Sequence, residues 1–255
     1  MEQKEALLQQ DRRLSIALDI GEQLLLSGAE IARCEDTIER ICRAYGFVSV
    51  HVFTVTAGLI VTVFSPEGES FTQLRRVKTS KFNLSRLESL NQLSRDICRE
   101  RPAPETVKAQ LSAIAQDPVY PLWSNVLTYA FISAAFSAFF SGTLINMPAA
   151  AITGSLMCLV EAFFFRLQLD PMFNVCACSF LAGLMNVALI HLGIGFDFAS
   201  ISIGNIMLLI PGIVMTNAIR DIFGGDFISG TSRLAQSMLL AFLVAFGFTS
   251  AGLLL

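Results

Sequence analysis

The side chains with chemical reach in this chain fall into two groups. In the first, Asn217, Arg220 and Asp221 stand three and four positions apart, so a helix would carry all three on one face. Asp226 follows Gly224-Gly225, and Gly230 lies four residues beyond it. An arginine fork holds carboxylates and other anions, and a neighbouring aspartate can occupy it when nothing else does. The stretch reads as a flexible gate closed by Arg–Asp pairs, with the glycines permitting tight turns. Upstream stands Pro211-Gly212. Proline removes an N–H and frees a carbonyl one turn earlier, and glycine eases departure from helical geometry. The pair predicts a broken helix, flanked by Asn205 and Asn217, of the kind that binds solutes and ions. Arg220 and the N–H groups near Gly212 are the expected partners for an anionic or zwitterionic solute. Glu161 lies in apolar surroundings, where a carboxylate either snorkels to the interface or faces a wet cavity. Arg233 reads only as a charge that holds a helix end in place.

The second group follows Ser27-Gly28 and comprises Glu30, Arg33, Glu35, Asp36 and Glu39. Asp36 and Arg40 form an i,i+4 pair. The group is either a solvated face or a cleft or docking surface built on Gly28, Glu30, Arg33, Glu35 and Asp36. Enzymatic chemistry has little material. GxxxxGK[ST], HExxH and GxSxG do not occur, and only His51 and His191 exist to serve as bases. Six cysteines without matching histidines read as packing residues, so neither metal nor cofactor is expected.

The elements that must position these groups follow from an uneven composition. Of 255 residues, 53% are hydrophobic and 15% charged, greasier and poorer in charge than a soluble domain. Residues 1–120 hold 15 of the 18 Lys and Arg and 16 of the 21 Asp and Glu. A net charge of −3 and a pI of about 5.4 give no case for nucleic acid. Charge-free runs over 118–160, 171–196, 198–219 and 234–255 predict five membrane helices near 121–141, 145–165, 172–193, 199–219 and 234–254. Their turns are expected at Ser141-Gly142, Asp170-Pro171, Gly193-Ile194-Gly195 and Gly224-Gly225. The charged N-terminus carries no signal-peptide pattern. Arg166, Arg220 and Arg233 fall on the same side as that N-terminus, so the positive-inside rule sets the N-terminal domain in the cytoplasm and the C-terminus outside.

Residues 1–118 read as a small α+β domain ahead of an all-α membrane domain, 119–255. Ile16, Ile20, Leu24, Ile31, Ile38 and Ile41 mark one face of two helices meeting at Gly28. Gly46 ends the second helix. The Val/Thr/Phe stretch 47–64 reads as strand, 65–68 as turn and 70–77 as returning strand. Ser85 with Glu88 forms a capping-box pattern ahead of a helix, and another is expected over 105–116. Small-residue spacings at Ala150/Gly154 and Ser179/Gly183 suit close helix packing.

Two stretches together resemble the threonine/serine exporter family. One is Ser27-Gly28-Ala29-Glu30 with Arg33, Glu35-Asp36-Thr37, Gly46 and the strand 52–63. The other is Pro211-Gly212, Asn217-Ala218-Ile219-Arg220-Asp221, Gly225-Asp226, Ser229-Gly230 and Arg233. The resemblance covers about 15–250 and implies a cytosolic domain followed by five spans. Full-length family members look like two membrane halves in one chain, and this sequence is similar to the first half. It thus resembles the larger subunit of a split exporter that works with a small multi-span partner, a copy of itself, or both. The implied function is proton-driven export of threonine and serine, or of a dicarboxylate such as succinate, across a bacterial inner membrane. The rival readings are a membrane-anchored hydrolase-like enzyme and a regulatory subunit using the cytosolic domain.

Overall fold

The computed structural model describes residues 2–78, 82–116, 120–141 and 143–254. The chain opens with α1 (Glu2–Leu26) and α2 (Ile31–Ala44), followed by β1 (Ser49–Val55), β2 (Gly58–Phe64), β3 (Ser70–Arg76), α3 (Leu84–Glu100) and α4 (Pro104–Ala115). The predicted isoleucine face is realised: Ile20, Leu24, Ile31, Ile38 and Ile41 are buried. Gly28, at φ +88°, makes the turn between α1 and α2, and a Cβ there would run into the Phe82 ring. The strands form one antiparallel meander in the order β1-β2-β3. Stretch 47–64 is therefore a hairpin, with Val55 opposite Gly58. Gly58 permits the close approach, since a Cβ there would lie 2.6 Å from the Arg75 carbonyl. Leu59, Val61 and Val63 join the core with α1 and α2, while Phe53, Ile60 and Leu74 face outward. The capping-box expectation at Ser85 fails. Asn83 caps α3, its side-chain oxygen accepting the Arg86 N–H at 3.0 Å, and asparagine is at least as good an N-cap as serine.

Next come α5 (Leu122–Ser141), α6 (Met147–Arg166), α7 (Pro171–His191) and α8 (Phe198–Leu209), then α9 (Gly212–Phe223) and α10 (Phe227–Gly252). Helices α5, α6, α7 and α10 are each long and apolar enough to cross a membrane; α8 and α9 qualify only together, as a bent pair. The helix stops at Leu209 because Ile210 turns extended before Pro211. Asp170 and Asp197 cap α7 and α8 with their carboxylates. Helix α10 begins seven residues earlier than the hydropathy boundary at 234. Gly230 belongs to that early part and is helical, not a turn. A Cβ on it would sit 2.8 Å from the Ala218 carbonyl, so the glycine lets α10 close against α9. Gly142 of the expected 141–142 turn and the 118/119 domain boundary lie outside the described residues.

By packing, the chain divides into two units. One holds the N-terminal α/β elements together with Ile213–Leu234. The other holds α5 to α8 and the remainder of α10. In the second unit the usual polarity is inverted. Phe131, Phe139, Phe165 and Phe242 are exposed, while Ser133, Thr153, Ser179, Asn186 and Asn205 are buried. Polar groups turned inward and phenylalanines turned outward are what lipid surroundings favour. Gly154 packs on Ser133 and the Tyr129 carbonyl, and Gly183 on Ala251 and Phe248. Both predicted small-residue spacings thus serve helix contacts.

Candidate functional site

The two stretches that carry the family resemblance, nearly two hundred residues apart, meet within the first unit. The α1–α2 turn offers the Gly28 and Ala29 carbonyls, the Glu30 carboxylate and the Ile31 N–H. Each finds a partner on α9 or α10. Asn217 Nδ2 donates to Gly28 O at 3.2 Å, and Arg233 Nη2 donates to Ala29 O at 2.9 Å. Arg220 pairs with Glu30. Asp221 Oδ1 accepts the Ile31 N–H at 3.2 Å, and its Oδ2 accepts Arg233 Nη1 at 2.8 Å. The Asp221 carboxylate therefore sits at the α2 N-terminus, where the helix dipole favours negative charge.

This arrangement amends the sequence reading in three places. Of the expected Arg–Asp pairs one forms, Arg233 with Asp221, while Arg220 reaches Glu30 instead. Arg233 is no mere topological charge. Its side chain is 11% exposed and that of Asp221 1%, against 62% for Arg220 and 25% for Glu30. One ion pair is buried and the other wet. Gly212 does not offer a free N–H, because it donates to Ile210 O at 2.8 Å. Pro211 supplies no N–H for the carbonyl one turn before it, as expected.

The remaining residues of the acidic group diverge. Glu35 turns to the sheet, accepting the Thr54 N–H at 2.8 Å. Burial pushes its carboxyl above the ordinary range, Asp226 adds to the rise, and the Thr54 hydrogen bonds oppose it. Asp226 lies just beyond α9, its own N–H donating to Asp221 O at 2.9 Å. Asp36 pairs with Arg40 at 2.8 Å on the exposed side of α2, where Arg33 also lies. Burial raises the Cys34 and Cys42 thiols to about 12, leaving them unreactive. Among the described residues no group of three or more His, Cys, Asp or Glu is placed to hold a metal ion.

A second polar centre occupies the helical unit. Asn186 Oδ1 accepts from Thr153 Oγ1 at 2.8 Å and from Asn205 Nδ2 at 3.3 Å. Asn186 Nδ2 donates to Ser202 Oγ at 3.0 Å. Asn205 is fully buried, and its Oδ1 has no partner among the described residues; Ser133 Oγ is in the same state. An unmet buried acceptor inside apolar helices is costly. Glu161 accepts the Tyr129 hydroxyl at 2.7 Å, so this carboxylate is fixed across α5 and α6. Sequence reasoning picked Asn205 and Glu161 but not Thr153, Ser202 or Tyr129, because single hydroxyls in apolar runs leave no periodic mark.

Four apolar helices of spanning length, a bent pair broken at proline and a buried polar network among them mark a multi-span membrane protein. Residues 15–255 match the model of the threonine/serine exporter family, and the chain belongs to that family. Its family is one of transporters, not enzymes. Among its relatives is "Probable succinate transporter subunit YjjP" of Klebsiella aerogenes, 24% identical over 89% of this chain and 88% of the relative. The protein of the same name in Escherichia coli is 23% identical over 92% of each. "Probable threonine/serine exporter" of Mycobacterium tuberculosis is 22% identical over 89% of this chain, which spans 43% of that longer protein. No solved structure matches.

Proposed function

We propose that this chain is the larger subunit of a two-part inner-membrane exporter of small polar metabolites. It passes threonine and serine, or a dicarboxylate such as succinate, and it works with a second small membrane subunit. The N-terminal domain lies in the cytoplasm, five spans follow with α8 and α9 as one broken span, and the C-terminus ends outside. Three facts support the reading of assembly and substrate. The relatives that this chain covers almost end to end are named subunits, the longer mycobacterial exporter is covered for less than half its length, and relatives of both substrate names occur.

The observation that carries the proposal is the junction of Glu30, Arg220, Asp221 and Arg233. It holds the segment after the Pro211 break to the turn between α1 and α2. Two guanidiniums answered by two carboxylates form a closed resting state. A carboxylate-bearing solute is the natural competitor for Arg220, whose pair is solvent-exposed and weak. Arg233, buried against Asp221 and Ala29 O, is the hinge that stays. The proton gradient supplies the drive, with Glu35, whose carboxyl burial holds above the ordinary range, the group near the junction that carries a proton and gives it up as the site opens.

Proteoliposomes loaded with labelled succinate or threonine test this. Efflux should require both this chain and its membrane partner and should rise with an imposed proton gradient. Arg220→Ala should abolish efflux while leaving insertion intact. Unchanged efflux in that variant removes Arg220 from the path.

A further inference from the structure

Away from this junction, α2 and α3 enclose a cleft of about 350 Å³ that the export reading does not use. Arg33 and Arg40 line it from α2, seven residues and so two turns apart. Arg95 and Arg99 line it from α3, one turn apart. Four arginines thus line one concavity. Asp36 is the one acidic residue lining it, and Arg40 already holds that carboxylate at 2.8 Å. Arg95 leans on Gln92 at 2.7 Å. Arg33 and Arg99 have no ion-pair or hydrogen-bond partner among the described residues. The lining carries an excess of three positive charges, in a chain whose net charge is −3. Cys98, half-buried, closes the lining, with its thiol pushed up by burial and therefore protonated and neutral at pH 7.

A charged helix face without a cleft is ordinary solvated surface. Here four arginines from two helices line one concave space large enough for a small metabolite, and two of them have no partner among the described residues. Guanidinium forks match carboxylate and phosphate oxygens in pairs, and a monovalent ion would leave most of that charge unmatched. We propose that the α2–α3 cleft binds a small multivalent oxyanion, a di- or tricarboxylate or a phosphorylated metabolite, at a site separate from Arg220 and Arg233. The proposal does not depend on the export reading, because its readout is occupancy.

The test uses the full-length chain in nanodiscs of neutral lipid at constant ionic strength. Citrate and pyrophosphate are the two probes, with chloride as the matched control. Alkylation of Cys98, read peptide by peptide, should slow in the presence of either probe and not with chloride. Protection by citrate alone assigns a carboxylate ligand, and protection by pyrophosphate alone a phosphate ligand; both outcomes support the site. Arg33 and Arg99 are exposed and on separate helices, so folding should survive Arg33→Gln or Arg99→Gln. Each should weaken the apparent affinity by about tenfold or more, the usual cost of losing a charged hydrogen bond. Arg76→Gln, on β3 away from the cleft, should not change it. No protection in the unmodified chain, or equal protection in all three variants, would overturn the proposal.

Discussion

Substituting the two arginines of the junction separately tests the assigned roles, because one ion pair is buried and the other is not. In Arg233→Ala the Asp221 carboxylate, 1% exposed, loses its guanidinium, and the Ala29 carbonyl loses its donor. Stripping one partner from a buried pair costs about 3–5 kcal/mol, since a charge stays behind without compensation. Arg220→Ala removes a pair whose arginine is 62% exposed, and such pairs are worth about 0–1 kcal/mol. Hydrogen–deuterium exchange on the full chain in nanodiscs reads the difference at the Ile31 amide and its neighbours. Opening of the α1–α2 turn should become more frequent by about a hundredfold or more in Arg233→Ala, at 1.4 kcal/mol per factor of ten. In Arg220→Ala it should change by about fivefold or less. Pairing Arg233→Met with Asp221→Asn removes both charges and keeps an acceptor for Ile31, so protection should recover relative to Arg233→Ala. Equal exchange in the two single variants would refute the division into a buried hinge and a wet, displaceable pair.

The other expectations concern single groups. Glu35 is raised above the ordinary carboxylate range, chiefly by burial, so its charged form opposes folding. The loss sets in as pH rises from the unfolded value through the raised one. Glu35→Gln, which keeps an acceptor for Thr54, should therefore raise the unfolding temperature at pH 8, and the gain should vanish near pH 4. Asn186→Ala unpairs Thr153, Ser202 and Asn205 and should destabilise the helical unit by about 1–3 kcal/mol. Asn205→Ala should cost less in the same unfolding assay, because its Oδ1 is unanswered. Gly230→Ala should push α10 off the Ala218 carbonyl, costing about 1–3 kcal/mol and increasing exchange across 217–233.

Much of the fold can be read from the sequence because lipid and core impose periodic demands. The isoleucine face, the Gly28 turn, the halt at Pro211 and the small-residue contacts each rest on a local rule. Where a local rule misleads, a second local signal competes with it. Asn83 outranks Ser85 as a cap, and Gly58 turns one long strand into a hairpin. The junction is a different case. Gly28, Glu30, Arg220 and Asp221 were each conspicuous, yet nothing in their spacing joins residues 190 positions apart. Arg233 stands 12 residues from its partner on another helix, outside any i,i+4 relation, and burial alone reveals its weight. Thr153 and Ser202 stayed hidden for the same reason: a hydroxyl in an apolar run gains meaning only from the asparagine opposite.

The central claim, that the contact between Glu30 and Arg220 must open for solute to leave, is tested most directly by preventing the opening. In proteoliposomes containing the partner subunit, an Arg220→Lys variant keeps the cation, and a zero-length carbodiimide can join its amine to the Glu30 carboxylate as an amide. The account predicts that the Arg220→Lys variant exports before the reagent is added and stops after it, while the same variant carrying Glu30→Gln is not stopped by the reagent. Efflux that continues at an undiminished rate through fully cross-linked protein would contradict it.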